Sequence, residues 1–496
     1  MTRNILEYLE TTVRQVPEKL AFADGERHLT FRQTYDQARA IGTFLHHRGF
    51  GGRTVVVFME KQPRTIAAFL GAVYAGCCYV PLDPEMPRHR IGQILSQLEP
   101  SPVICDGGTE ILARELAEWV FRYGEAAFGI IDEAVLAQIR QRQLDIDPVY
   151  IVFTSGSTGV PKGVVGCHRS VIDYIEHLAP VLGFSRGTIF GNQTPLYFDA
   201  CLKEILPTLK FGATTYLIPR SLFRFPLRLI DYLNEYRINT LCWVASALTI
   251  LSSLGALGKR KPVFVGTIAF ASEVFPIRQL NIWRQALPGC RFFNLYGPTE
   301  TTGICCYYQV EREFSEGEKL PIGTPFPNTQ VLLLDEQDRP ADRGEICIRG
   351  TRLTLGYYRD PERTAGSFVQ NPLNSFFSET IYRTGDLGAY NDRGELVFLG
   401  RKDHQIKHMG HRIELGEIEA AALTAPRILS ACCTYDSDRQ KLVLYYVGEA
   451  APEELAVYLK TKLPRYMLPA SLRRLEALPV TANGKIDRNQ LREEQK

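Results

Sequence analysis

Short apolar segments in this chain repeatedly run straight into polar loops, and that recurrence narrows the folds open to it more than any other feature. "TVVVF" at Thr54–Phe58 precedes a helical stretch, "VYIVFTSGS" ends in a glycine turn, and "GTIAFASEV" and "CRFFNLYGP" repeat the arrangement. Strands of this kind alternating with helices predict a large α/β body over residues 1–402, with its chemistry on the loops at strand ends. After Gly400 the character changes. "GRKDHQIKHMGHRIELGEIEAA" reads as a charged turn followed by strand and helix, so residues 403–496 predict a small α+β domain.

One segment tests the α/β reading. "IAAFLGAVYAGCCYVPL", Ile66–Leu82, carries no charge over nearly the length of a membrane span. Gly71, Gly76 and Pro81 interrupt it, so a buried helix running into a strand is the better account. The N-terminus "MTRNILEYLETTVRQVPEKL" is charged throughout and lacks the apolar core of a signal peptide. The twelve cysteines include no C-x-x-C pair, and the adjacent pairs Cys77/Cys78, Cys305/Cys306 and Cys432/Cys433 are poorly spaced for bridging or chelation. Reduced thiols in a cytoplasmic protein follow. Lys and Arg total 57 against 55 acidic residues, which leaves no electrostatic footprint for nucleic acid or an anionic membrane.

"FTSGSTGVPKGVV", Phe153–Val165, concentrates Thr154, Ser155, Ser157 and Thr158 with Gly156, Gly159 and Lys162. It is not the GxxxxGKS/T phosphate loop, because Pro161 precedes the lysine and Gly163 follows it. Backbone N–H groups freed by glycine, hydroxyl donors and one cation suit a polyphosphate. Residues of these types also crowd ordinary surface turns, and taken alone the loop leaves both readings open.

The loop belongs to an ordered series: "NLYGPTE" (294–300), "GEICIRG" (344–350), "LGYYRDPERT" (355–364), "YRTGDLG" (382–388), "GRKDHQIKHMGHRIELGEIE" (400–419), "LPRYMLP" (463–469) and "NGKIDR" (483–488). On these motifs the chain resembles, over essentially its whole length, the adenylate-forming (AMP-binding) superfamily. Within it, the resemblance is to amino-acid adenylation enzymes of nonribosomal peptide synthetases and to D-alanine carrier-protein ligases. It implies a large α/β N-terminal domain, a small mobile C-terminal domain, and ATP with Mg²⁺ as cofactors. The implied reaction joins a carboxylate to the α-phosphate, releases pyrophosphate, and passes the acyl group to a phosphopantetheine thiol.

By the same resemblance Glu300 holds Mg²⁺ and Thr299 contacts the α-phosphate, roles that suit a carboxylate and a hydroxyl near a hard cation. Asn294, Tyr296 and Gly297 fall at the nucleotide, with Tyr296 stacking on adenine. Asp386 accepts the ribose hydroxyls, assisted by Arg401. Lys485 bridges the substrate carboxylate and the α-phosphate, where a preorganised cation favours an anionic transition state. Asp403 occupies the hinge position that brings Lys485 to the nucleotide. Met409 replaces the arginine often found before that segment's glycine. The trio His404, His408 and His411 is not read as a metal site, because Gly410 breaks their alignment and no carboxylate completes a shell.

The substrate reading rests on "LYFDACLKEIL". Asp199 stands where the family places the acceptor of a substrate ammonium, and an acid without the amine would leave this carboxylate uncompensated. The other implied pocket residues are Ala200, Lys203, Trp243, Ile268, Phe270, Leu295, Gly303 and Ile304. Bulky Trp243 and Phe270 favour a small side chain such as alanine's. An unpaired Lys203 favours an acidic one, unless it pairs with Asp199 or Glu204. Ala271 differs from the cysteine expected in D-alanine ligases. Because no carrier segment follows "NGKIDRNQLREEQK", the expected acceptor is a separate carrier protein, with coenzyme A as an alternative thiol. An acyl- or aryl-CoA ligase and a catalytically inactive nucleotide-binding partner remain the competing readings.

Overall fold

The computed structural model describes residues 2–156, 159–403, 405–436, 439–479 and 486–493. They group into two compact units, one of residues 1–83, 100–152 and 164–400, the other of residues 84–99, 153–163 and 401–496.

The first unit is organised by parallel sheets. In the nine-stranded sheet, Arg291–Tyr296, Thr267–Ala271, Thr240–Val244, Ile189–Asn192, Thr214–Leu217 and Leu20–Ala23 run parallel in that spatial order. Antiparallel strands Cys306–Gln309 and His28–Thr30 flank them. A six-stranded sheet places Thr54–Phe58 between Val103–Cys105 and Cys78–Pro81. All five residues of "TVVVF" are buried, the unbroken apolar pattern of a strand covered on both faces. The uncharged run Ile66–Leu82 divides into the helix Pro63–Tyr74 and the strand Cys78–Pro81, as expected for a core helix–strand unit. Among the described residues no helix is long and apolar enough to cross a membrane. All twelve cysteines are free thiols.

Alternation along the nine-stranded sheet feeds two separate cores. Cys242, Ala269, Ala271, Phe293 and Leu295 join the larger core. Their neighbours Leu241, Trp243, Ile268, Phe270 and Phe292 join the other. The cause is geometric, since successive strand side chains leave opposite faces.

A smaller antiparallel sheet in this unit contains Arg343–Gly350 and Thr380–Tyr390. The second unit is α+β. Ile428–Asp436, Lys441–Gly448 and Ser471–Arg474 form its sheet, and the helices Leu415–Leu423 and Pro452–Lys462 contribute Ile418, Leu455 and Leu459 to its core. The hairpin Gln405–His408/His411–Glu414 turns through Met409 and Gly410, both with positive φ (51° and 80°).

Candidate nucleotide and substrate site

Where the strand Arg291–Tyr296 ends, the chain turns through Gly297 and Pro298 into the short turn Thr299–Thr301. A Cβ on Gly297 would lie 2.6 Å from the Gly303 carbonyl oxygen, so only glycine lets the turn fold back this closely. The Tyr296 hydroxyl donates to Asp386 Oδ2 at 2.6 Å, with both residues buried. Asn294 instead supports the strand, donating through Nδ2 to the Pro321 carbonyl at 2.8 Å. Glu300 is fully buried, and its Oε1 accepts the Tyr357 hydroxyl at 2.7 Å. One carboxylate plus phosphate oxygens is the usual protein share of a Mg²⁺ site, so Glu300 fits that ion by the chemistry of its donor atoms.

The glycine-rich loop belongs to the second unit. Thr154 closes the strand Pro148–Thr154, and its buried hydroxyl has no hydrogen-bond partner among the described residues. Ser155 Oγ donates to the Arg412 carbonyl at 2.7 Å. The Gly159 N–H donates to the Gly156 carbonyl at 3.0 Å, with Gly159 at φ +82°. Lys162 is buried at the start of the next strand. Ser157, Thr158, His404 and Lys485 lie outside the described residues. Arg401 grips both Asp403 oxygens, at 2.7 and 2.6 Å. Burial opposes the Asp403 charge, but these bonds outweigh it and hold the carboxyl below its ordinary value.

Asp199 opens a short turn before the helix Leu202–Phe211 and is 7 % exposed. Among the described residues its Oδ2 is buried without a hydrogen-bond partner. Burial pushes its carboxyl up to about 6, and the nearby Glu300 charge adds to this against the Thr299 hydroxyl and Lys203. Lys203 is 2 % exposed and donates to the Ala200 carbonyl at 2.8 Å. Among the described residues it forms no ion pair with Asp199 or Glu204.

Deeper in lies a pair the sequence analysis did not identify. Asn192 Nδ2 donates to Glu204 Oε2, while Glu204 Oε1 has no partner. Lys61 Nζ donates to the carbonyls of Asn192 and Gln193 at 2.9 and 3.1 Å. Burial raises the Glu204 carboxyl and lowers the Lys61 ammonium, drawing both toward their neutral forms.

Leu295 and Ile304 share the larger core with Cys201, which adjoins Asp199, and Gly303 lies beside the Asp199 carboxylate. Trp243, Ile268 and Phe270 do not, and this corrects the sequence expectation. Trp243 Nε1 donates to the Gly191 carbonyl at 2.6 Å, and Phe270 packs on Phe275, both in the opposite core. Cys242, Ala269 and Ala271 occupy the Asp199 face instead. Period-two alternation was the available signal: once Ala271 is taken as pocket wall, Phe270 must face away. The small-cavity argument built on Trp243 and Phe270 therefore falls.

The loop carrying Gly303 is braced by Arg352, a fully buried residue that the sequence analysis did not single out. Its Nη1 donates to the Ile304 carbonyl at 2.7 Å and its Nε to Asp173 Oδ2 at 3.1 Å. The Thr302 hydroxyl donates to the Arg352 carbonyl at 2.8 Å. Thr302 and Gly303 both adopt positive φ, 56° and 85°, and these bonds hold that turn in place.

A parallel strand ending in Tyr296, bonded to Asp386 on the antiparallel sheet, a buried glutamate in the turn just after it, and a separate α+β unit define an adenylate-forming fold. The chain belongs to the AMP-binding enzymes: that family's model matches residues 9–358, and the AMP-binding enzyme C-terminal domain matches residues 417–485. It is 32% identical to tyrocidine synthase 1 of Brevibacillus parabrevis, over 99% of its own length and 45% of that protein's. The chain thus spans less than half of that relative. It is 31% identical to the L-proline–L-prolyl-carrier-protein ligase of Streptomyces coelicolor, covering 99% of this chain and 96% of that one. Among solved structures, holo-PA1221, a nonribosomal peptide synthetase protein containing adenylation and carrier domains, superposes with a TM-score of 0.84 at 26% identity, covering 98% of this chain and 84% of that one.

Proposed function

We propose that this chain activates an amino acid as its adenylate with ATP and Mg²⁺, releases pyrophosphate, and passes the aminoacyl group to the phosphopantetheine thiol of a separate carrier protein. The observation that carries the reading is Asp199, a buried carboxylate with an unpartnered oxygen. A cationic amine compensates that charge, whereas an acid without an amine leaves it bare. Relatives that include a carrier-protein ligase support the same reading.

When bound, ATP supplies the electrophilic phosphorus and Mg²⁺ neutralises its oxygens. Asp386 and Tyr296 would hold the nucleoside, Glu300 would hold the cation, and Thr299 would contact the α-phosphate. Lys485 would orient the substrate carboxylate, and Asp403 stands at the hinge position that the family resemblance implies. For the side chain, Ala269, Ala271 and Cys242 are the small residues on the Asp199 face, and the Lys203 ammonium suits a second carboxylate. An acidic amino acid is therefore the proposed substrate class.

Pyrophosphate release measured with ATP and Mg²⁺ across L- and D-amino acids, β-alanine and aryl acids tests this, with the adenylate trapped by hydroxylamine. A preference for an acidic amino acid is expected, and Lys485→Ala should abolish the signal while ATP still binds. An aryl acid outperforming every amino acid would overturn the reading.

A further inference from the structure

Tyr174 lies on the helix His168–Leu182, fully buried, and its hydroxyl has no hydrogen-bond partner among the described residues. Leaving a phenol hydroxyl buried and unsatisfied costs free energy, so its position calls for a reason. The neighbourhood supplies one. A Cβ built on Gly303 would lie 3.6 Å from Asp199 Oδ2 and 3.9 Å from the Tyr174 hydroxyl, with no other neighbouring atom as near as Oδ2. The missing side chain at Gly303 thus leaves a small space with two unpartnered oxygens on its wall, one anionic and one phenolic. A cationic N–H donor placed between them would meet both oxygens.

The phenol is also held in place. On the preceding residue, Asp173 accepts from Arg352 Nε at 3.1 Å and from Asn328 Nδ2 at 2.9 Å. Arg352 in turn braces Ile304, so Tyr174 and the Gly303 turn are tied to one buried guanidinium. Burial first, and the Asp199 charge next, raise the phenol well above its ordinary value, so it stays neutral with its lone pairs available.

We infer that Tyr174 is a specificity-determining residue whose hydroxyl oxygen accepts a second hydrogen bond from the substrate ammonium, beside Asp199, in the space left by Gly303. The inference rests on the amino-acid reading above. It adds that a primary amine is recognised by two acceptors set at an angle, which fixes the amine's orientation as well as its charge.

The test compares the best amino acid with its des-amino analogue in wild type and in Tyr174→Phe, reading kcat/KM for pyrophosphate release. Tyr174→Phe should lower the amino acid about tenfold, as for loss of a hydrogen bond to a charged group, and leave the analogue and the KM for ATP unchanged. An equal fall for both compounds means a merely structural tyrosine and overturns the inference, as does no change in either. A wild type that uses both compounds equally sinks the amine reading itself, a result distinct from those two. Should Tyr174→Phe fail to fold, wild type with the N,N-dimethyl amine takes its place. That ammonium has one N–H and cannot serve two acceptors, so its use on a par with the primary amine would overturn the proposal.

Discussion

Tyr296 donates its hydroxyl hydrogen to Asp386 Oδ2 at 2.6 Å, joining the end of a parallel strand to a residue 90 positions later on the antiparallel sheet. The bond orients the carboxylate proposed to receive the ribose hydroxyls. Hydrogen bonds to charged acceptors contribute roughly 1.5 kcal/mol or more. Tyr296→Phe should therefore raise the KM for ATP about tenfold and leave the amino-acid KM nearly unchanged. An unaltered ATP KM would remove the orienting role.

Asp199 should impose a pH dependence on substrate use. Its carboxyl is pushed up to about 6, so it is ionised above that pH and protonated below it. An ammonium gains its counter-charge only on the ionised form. The kcat/KM for the amino acid should thus fall about tenfold per pH unit below pH 6, while ATP binding varies less. Asp199→Asn should flatten the profile. A break near pH 4, the ordinary carboxylate range, would show that burial does not set this group.

Lys203 should discriminate by side-chain charge. Removing one member of a buried charge pair costs about 2 kcal/mol or more, so Lys203→Met should lower kcat/KM for an acidic amino acid at least about 30-fold. A neutral amino acid of similar size should gain. Parallel losses for both would place Lys203 in the scaffold and not in the pocket.

Arg352 should matter to stability and to the site together. Arg352→Met removes the guanidinium from Asp173, which keeps only the Asn328 amide and the neighbouring His177, and takes a donor from the Ile304 carbonyl, so unfolding by denaturant should show a loss of about 3 kcal/mol. The amino-acid KM should rise as the Thr302–Gly303 turn relaxes, and Arg352→Lys should restore part of both. Wild-type stability in the methionine variant would contradict the bracing role.

Much of the fold was legible. "TVVVF", "GTIAFA" and "CRFFNLY" are strands because β-branched and aromatic residues in short runs suit buried sheets, and polar loops follow them. The uncharged run Ile66–Leu82 was legible too, since Gly76 separates a helix from a strand. Facing was harder. Trp243, Ile268 and Phe270 sit one residue from the positions that reach the Asp199 side, and in a strand one residue inverts the face. Tyr174 and Arg352 carried no local signal, because each belongs to the site only through partners outside its own element: Arg352 reaches Ile304 48 positions and Asp173 179 positions away, and Tyr174 meets Asp199 only around Gly303.

The sequence by itself determined the kinds of element and the kinds of chemistry: where apolar runs end, where glycine permits a turn, and which motifs carry carboxylates, hydroxyls and lysines. Those properties are local, set by side-chain type and short-range periodicity. The tertiary structure alone decided which groups share a space, that Tyr296 meets Asp386, that Asp199 and Tyr174 both lie beside Gly303, and that Lys203 is buried with no ion pair among the described residues. Burial and long-range proximity turn an ordinary carboxylate into one raised to about 6, and neither exists before the chain has folded.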